Sequence, residues 1–364
     1  MISPFVRRLR LASELRGLRA EAGLTHDQLA KRIGQSRAQI SRLENGHIVD
    51  QADVLAILDT LGVDGERWTQ IVTISREAGE RGWWEYHKAM GDRQRRYADL
   101  EAGATSIREY QQNFIPGLLQ TPEFVRARTD AGAELEPMEG TSVEGVLAGR
   151  AGRQRTLRRP GAPRYEVVID EVAIRRLSAP PRIVQAQLLH LASAVTCPAD
   201  GPAYGAAGGP ADGAADRGGG GPADRAADGP AEGPADGAAD GAAEGARSGR
   251  KGRGKGAAGH TGKGAAGHGG GSGSRAQVSL RVLPVDARID GYMVPRSAFS
   301  IYTYADPGDP TVVAVDTVTD DLLLTSADAV SRYEELYRRL RDAALSPHDS
   351  LDLLSKAAAE LDRR

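Results

Sequence analysis

The first 75 or so residues place apolar side chains at intervals of three and four, which is the spacing of amphipathic helices. The first stripe, Leu11, Leu15 and Leu18, stops at Gly23, a residue typical of a helix C-cap. Further apolar stripes follow at residues 29–33, 40–43, 54–61 and 68–72. The pattern predicts a compact all-α domain of five short helices over residues 1–78.

Residues 23–46, GLTHDQLAKRIGQSRAQISRLENG, predict two of these helices joined by a tight turn. Thr25 can cap the first helix while Gln28, three residues on, closes a capping box. Gly34 is expected to end that helix, because glycine adopts a positive φ without strain. Ser36 is then expected to cap the second helix.

The second helix of the pair, expected over residues 37–44, has a narrow apolar stripe and a wide polar face. Ile40 and Leu43 anchor it inward. The outward side chains are small or can form hydrogen bonds, which suits the donors and acceptors of base edges in a DNA major groove. They are Arg37, Ala38, Gln39, Ser41 and Arg42. The segment therefore predicts a helix-turn-helix that binds double-stranded DNA.

This segment, with its closing residues LENG, resembles the Xre-type, phage-repressor-like helix-turn-helix. The resemblance implies that the outward side chains of the second helix contact bases. It also implies phosphate contacts at the helix ends, for which the candidates are Thr25, His26, Gln28, Ser36 and Asn45. A structural ion pair between Arg19 and Glu44 is implied as well, bracing the two ends of the domain.

Charge favours the same interpretation, because residues 1–49 hold nine Arg or Lys against four acids in a chain of net charge -2. Such a local excess attracts a phosphate backbone and predicts salt-sensitive affinity. We expect the arginines of the first helix to lie against phosphates, namely Arg7, Arg8, Arg10, Arg16 and Arg19. The alternative is a helical protein-docking domain with a solvated basic face.

Residues 79–197 and 276–364 alternate between strand-like and helix-like segments, and they predict one α/β (α+β) domain. Strands are expected from residue 106 toward a Pro-Gly turn at 116–117, and at 165–170, 278–283, 298–304 and 312–318. Helices are expected from residue 122 onward, and at 143–159, 182–195, 327–345 and 347–361.

Residues 198–275 interrupt this domain with a Gly/Ala/Asp/Pro-rich tract that holds 26 of the 45 glycines. So little apolar surface cannot offset the entropy of ordering, and we predict a long disordered insert. Nine acids lie between residues 200 and 244, whereas seven bases and no acid lie between 247 and 275. The tract is either a basic arm for non-specific DNA contact, masked by the acids, or a solvated loop expansion, which we favour.

The C-terminal motifs FIPGLLQTPEF, VIDEVAIRRL, QAQLLHLA and VSLRVLP, together with the helix-turn-helix, resemble actinobacterial Xre-type regulators whose C-terminal domain is classed as antitoxin-like. The resemblance implies a sequence-specific transcriptional regulator whose C-terminal domain binds a small protein encoded nearby or forms a homodimer. An alternative is an antitoxin-like interaction protein that sequesters the small partner and binds DNA only for autoregulation.

A third hypothesis is that a small effector binds at the aromatic cluster of Trp83, Trp84 and Tyr86 or in the α/β domain. Packing between the two domains is the simpler interpretation of that cluster. Thermal-shift screening would address this hypothesis.

Catalytic and metal sites are not expected. Asp170 and Glu171 are adjacent, so on a strand they would point to opposite faces, while Asp320 and Asp321 are typical of a turn. No histidine stands near a serine or cysteine in a nucleophile motif, and the insert's His260 and His268 lack ligands at suitable spacing. We therefore expect no enzyme activity, no cofactor and no metal.

The single cysteine, Cys197, excludes an intrachain disulfide. The arginine-rich N-terminus carries no apolar run of the kind found in signal peptides. The longest uncharged helical stretch, residues 183–197, is shorter than the roughly 20 apolar residues of a membrane crossing. We expect a cytoplasmic, nucleoid-associated protein with no membrane partner.

Overall fold

The computed structural model describes residues 2–48, 50–87, 89–133, 142–196, 278–292, 294–317 and 320–362. The predictions for residues 198–275, for Cys197 and for His260 and His268 lie outside these ranges. In the described ranges, no helix combines the length and apolar character that a membrane crossing needs.

The N-terminal part consists of five helices: α1 Pro4–Glu21, α2 His26–Ile33, α3 Arg37–Glu44, α4 Gln51–Leu61 and α5 Gly65–Ala78. Their apolar stripes meet in one core, where Leu11, Leu29 and Ile40 are at most 1% exposed. Burying a side chain of this size contributes roughly 1.5–3 kcal/mol. The core therefore fixes which face of each short helix is left for solvent.

The C-terminal part is built on one mixed sheet. Its helices are α6 Asp92–Gly103, α7 Pro122–Ala133, α8 Val143–Gln154, α9 Glu171–Arg175, α10 Pro181–Thr196, α11 Ala327–Ala343 and α12 Pro347–Asp362. Its strands are β1 Ala104–Gln111, β2 Arg164–Asp170, β3 Val278–Leu283, β4 Phe299–Tyr304, β5 Val312–Asp316 and β6 Asp321–Leu324.

The described strands are ordered β3-β2-β1-β4-β5-β6. Strands β1, β2 and β3 run parallel, whereas β4 joins β1 antiparallel and β5 and β6 continue antiparallel. Helices cover both faces of the sheet. Residues 312–315 of β5 are accordingly all apolar and buried. Val312 and Ala314 belong to the core cluster that includes Val6 of α1 and Leu100 of α6, and Val313 and Val315 belong to the cluster on the other face, which includes Leu340 of α11. The predicted layout, an all-α N-terminal domain and an α/β domain interrupted by a long insert, is confirmed.

Helix α6 and strand β6 are absent from our predictions. The sequence of α6, DRQRRYADLEAG, is mostly polar, yet Asp99 is 6% exposed and Glu101 is 1% exposed. Their carboxylates bind Ser3 and Arg153, which are far away in the sequence. Because two of the five buried residues are acidic and two are alanines, no clear apolar stripe marks the helix.

The prediction for Asp170 and Glu171 is wrong in its geometry. Asp170 ends β2 and caps α9, accepting a hydrogen bond from the backbone of Val172 at 3.0 Å, and Glu171 already lies in that helix. Asp320 lies in a bend, and Asp321 is the first residue of β6, which follows it. Both acids of the first pair therefore serve local structure.

Of the aromatic cluster, the two tryptophans pack in the protein, whereas Tyr86 is 72% exposed. Trp84 is 2% exposed and lies with Met90, Ala98 and Ala102 in a small core. Trp83 meets the ring of Trp84 edge-on. The two tryptophans therefore pack against α6 within the C-terminal part, and the predicted packing of this cluster between the two domains stays a prediction.

Candidate nucleic-acid interface

Local capping shapes the turn between α2 and α3. The backbone of Gln28 donates to Thr25 Oγ1 at 3.3 Å, while Gln28 Oε1 accepts from the backbone of Thr25 at 2.8 Å. Gly34 closes α2 with φ +70°, a conformation that favours glycine. Ser36 Oγ then accepts from the backbone of Gln39 at 3.1 Å and starts α3. The predicted caps are confirmed.

Helix α3 turns its apolar stripe inward and its polar face to solvent. Ile40 is fully buried and Leu43 is 1% exposed. Arg37, Ala38 and Arg42 are exposed on the outer face, and Gln39 and Ser41 are partly exposed beside them. The only carboxylate near Arg37 among the described residues is that of Asp27, at 4.0 Å, and both side chains are 70% exposed. The arginines of α3 are therefore accessible to a ligand.

A hydrogen-bonded chain orients Gln39. Its Nε2 donates to Asp53 of α4 at 2.8 Å, and Gln35 donates to the same carboxylate at 2.7 Å. Arg42 in turn donates to Gln39 Oε1. Gln35 and Asp53 are not among the residues predicted for the DNA-binding site. The one local signal is an acid next to the apolar stripe of α4, and that acid is 8% exposed.

The candidate phosphate contacts lie at the helix ends. Thr25, Gln28, Ser36 and Asn45 are exposed, and His26 is partly exposed. The side chain of Asn45 folds back to donate to the backbone oxygen of Ser41 at 2.7 Å. The contacts of these residues with DNA stay predictions.

Glu44 is a buried anchor between α1, α2 and α3. Arg19 donates to its two carboxylate oxygens at 2.6 and 2.8 Å, and His26 Nε2 lies 3.1 Å from Oε2. Burial by itself raises the pKa of Glu44, but the bonds from Arg19 and His26 outweigh it and lower the pKa below the ordinary value of 4.5. The same hydrogen bond raises the pKa of Arg19. The structure thus joins Arg19 and Glu44, with His26 attached to them.

Family comparisons match both parts of the chain. A family model described as a helix-turn-helix domain matches residues 10–68. A second model, described as a domain of unknown function (DUF5753), matches residues 94–199 and 272–356, which is more than half of the chain. The chain belongs to the DUF5753 family. Searches of curated proteins and of solved structures gave no match. The helix-turn-helix match supports a DNA-binding regulator, and helices α2 and α3 of this DUF5753 protein lie within it.

The expectation that the whole of α1 faces phosphates is wrong. Arg7 lies 2.9 Å from Glu77, 3.0 Å from Asp306 and 2.9 Å from Asp309. Arg10 contacts the same two aspartates, and Arg8 lies 3.8 Å from Asp99. These arginines fix α1 of the DUF5753 protein to its α5, its α6 and the loop after β4, so they are not available to DNA.

Basic charge nevertheless remains on the surface of the helix-turn-helix. Within residues 2–48 the exposed acids are Glu21 and Asp27. The exposed bases are Arg16, Lys31, Arg32, Arg37 and Arg42. The other charged residues of this range are four arginines and two glutamates, and all six form ion pairs. A positive surface therefore persists in this DUF5753 protein, on α3 and on the second half of α2.

Proposed function

We propose that the chain is a sequence-specific, Xre-type transcriptional regulator in which α3 enters the major groove of DNA. The observation that carries the proposal is the orientation of α3. Ile40 and Leu43 hold the helix on the core, while Arg37 and Arg42 project to solvent without a buried carboxylate partner. A helix held this way presents donors at the surface that can match base edges.

Each outward side chain of α3 has a role suited to its chemistry. Arg42 and Arg37 can each donate two hydrogen bonds to guanine O6 and N7. Ala38 leaves room for a thymine methyl group, and Gln39, held by Asp53, and Ser41 can contact neighbouring bases. The exposed groups at the helix ends would bind phosphates and set the register of α3 in the groove.

We also propose that two copies bind one operator. Helix-turn-helix dimers place their recognition helices about 34 Å apart, which favours a pseudo-palindromic site. The resemblance to dimeric regulators supports this proposal. Light scattering of the free and DNA-bound protein would test it, with a mass ratio of one chain per operator counting against it.

For the α/β domain we propose a binding role and no catalysis. Its buried acids are held by internal partners, as in Glu101, which accepts from Arg153 at 2.6 and 3.1 Å. Binding of a small protein encoded nearby stays a prediction, and co-purification would test it.

Gel-shift titration of a selected operator tests the DNA-binding proposal. The double variant Arg37→Ala/Arg42→Ala is expected to lose specific binding while it keeps the helical circular-dichroism signal of the wild type. Arg332→Ala, an exposed arginine of α11, serves as the matched control and is expected to bind as the wild type does. Equal binding by the double variant and the control would overturn the proposal.

A further inference from the structure

A cavity of about 760 Å³ opens at the C-terminal end of β1. It lies between α6, α7 and α8 and the adjoining ends of β4 and β5. Apolar wall residues are Phe114, Ile115, Val125 and Val146. A crevice at the C-terminal end of a strand, with apolar walls and a few polar groups, is the usual setting of a small-molecule site. The family model assigns no ligand to it.

Two of the arginines that line the cavity serve internal structure. Arg153 donates to Glu101 at 2.6 Å, and the two side chains are 7% and 1% exposed. Arg93 donates to Asp321 at 2.9 Å through Nε. Their charges are balanced before any ligand arrives.

Arg150, one turn before Arg153 on α8, has no such balance. Within the described part of the chain no carboxylate lies within 4.0 Å of it, and its buried Nε has no hydrogen-bond partner. Burial and then the nearby charge of Arg153 lower the pKa of Arg150 to about 9. Arg150 is partly exposed, but its Nε is buried without a hydrogen-bond partner, so a ligand that supplies negative charge here would be bound favourably.

The charges of Glu101 and Glu109 act on Arg150 only at longer range: they raise its pKa less than burial and Arg153 lower it, and neither forms an ion pair with it. Glu109 accepts hydrogen bonds from Tyr165 at 2.6 Å and from Gln111 at 2.8 Å, and Asp316 accepts one from Tyr97. Burial raises the pKa of both carboxyls. Both acids therefore accept hydrogen bonds from neutral donors. No carboxylate of the described residues forms an ion pair with Arg150.

The absence of a side chain at Gly117 leaves room for the guanidinium of Arg150. The Nη1 atom of Arg150 lies against Gly117, where an added Cβ would overlap it. Arg128 adds a second cation on the opposite helix, α7, and its guanidinium stacks 4.9 Å from the ring of Phe114. No carboxylate of the described residues pairs with Arg128 either, so the positive charge has two sources.

We propose that this cavity binds a small organic anion, with one carboxylate or phosphate group on an apolar body, and that Arg150 binds the anionic group. A guanidinium can bind either group through two parallel hydrogen bonds. The apolar walls bury the body of the ligand. The inference concerns ligand binding alone and does not depend on the DNA-binding function.

Calorimetric titration of the full chain with three probes tests the proposal. Phenyl phosphate and benzoate carry the two anionic groups, and benzyl alcohol is their neutral counterpart. At least one anion is expected to bind about tenfold or more tightly than the alcohol. Binding of phenyl phosphate alone assigns a phosphate ligand, and binding of benzoate alone assigns a carboxylate. If neither anion binds more tightly than benzyl alcohol, the proposal is wrong.

Variants identify the group that binds the anion. Arg150→Met is expected to weaken binding of the anion about tenfold or more, whereas Arg158→Met, at an exposed position after α8, leaves it unchanged. Because Arg150 has no internal partner, its replacement is expected to keep or raise the melting temperature of the free chain. Gly117→Ala provides a second test, since it displaces the guanidinium while Arg150 is retained. Full affinity in either variant overturns the proposal.

Discussion

Arginines stand on both α1 and α3, but the two helices use them in different ways. On α1, Arg7 is 8% exposed and contacts three carboxylates, two of which come from the loop after β4. On α3, Arg37 is 70% exposed and the nearest described carboxylate lies 4.0 Å away. The surroundings of an arginine, more than its presence on a basic helix, decide whether it contributes to stability or to binding.

This difference assigns separate tasks to the two helices. Helix α1 connects the helix-turn-helix to the α/β domain, because Val6 packs in the core of the latter and Ser3 donates to Asp99 at 2.7 Å. Among the described elements, α3 packs against α1 and α2 and leaves its polar face exposed. Variants of α1 and α3 should therefore separate stability from DNA affinity.

The largest effect is expected at Arg7. Arg7→Met leaves Asp309, whose side chain is 6% exposed, without its closest partner, and the free energy of unfolding should fall by about 3 kcal/mol. Urea denaturation measures this change. The folded variant should keep its DNA affinity. Arg76→Met, at an exposed position of α5, is the control with no expected effect.

If Arg7→Met instead weakened DNA binding at unchanged stability, α1 would be part of the DNA interface and the comparison would fail.

The converse effect is expected at Arg42. Arg42→Ala should weaken operator binding by about 2 kcal/mol, or roughly thirtyfold, and relax the preference at one base position. Its free energy of unfolding should change little, because the side chain is exposed. Binding to randomised operators measures both properties. A uniform loss across all sequences would make Arg42 a phosphate contact instead.

Sequence could predict the features that depend on neighbouring residues. The Thr25 capping box and the Ser36 cap each join residues three positions apart, and Gly34 lies between them, so the two helices of the motif followed directly. Two of the three partners of Arg7, Asp306 and Asp309, lie 299 and 302 residues further along the chain, and no local pattern points to them. The expected phosphate contacts of Arg7 and Arg10 were wrong for this reason, whereas that of the exposed Arg16 stays a prediction.

Inside the α/β domain, too, partners that are distant in the sequence could not be predicted from local patterns. Arg150 and Arg153 both lie on α8, and the local sequence does not distinguish their roles. Glu101 of α6 pairs with Arg153, whereas no described carboxylate pairs with Arg150. Because α6 was itself not predicted, the cavity could not be predicted either.

A smaller effect is expected at Asp53, which connects stability with binding. Asp53→Ala frees the amides of Gln35 and Gln39 and should lower the free energy of unfolding by about 1 kcal/mol. DNA affinity should fall slightly, since Gln39 and through it Arg42 lose their orientation. Asp59→Ala, exposed on the same helix, is the control. A variant with unchanged affinity would show that the arginine needs no such support.

The smallest effect is a pH dependence at Glu44. Its pKa is lowered in the folded state, so its stabilisation is fully present above the ordinary value of 4.5 and is lost as the pH falls through the folded pKa. The stability difference between the wild type and Glu44→Gln should therefore shrink when thermal unfolding is measured from pH 7 down to acid pH. Glu21→Gln, which alters an exposed acid, should show no such trend.

Methylation interference tests most directly whether α3 lies in the major groove. Methylation of guanine N7 blocks a hydrogen-bond acceptor that is exposed in that groove. We predict that methylation of at least one guanine in each half-site abolishes binding of the wild type, and that Arg42→Ala becomes insensitive at that guanine. If no guanine interferes, or if the wild type and Arg42→Ala give identical patterns in every half-site, α3 does not bind bases through Arg42.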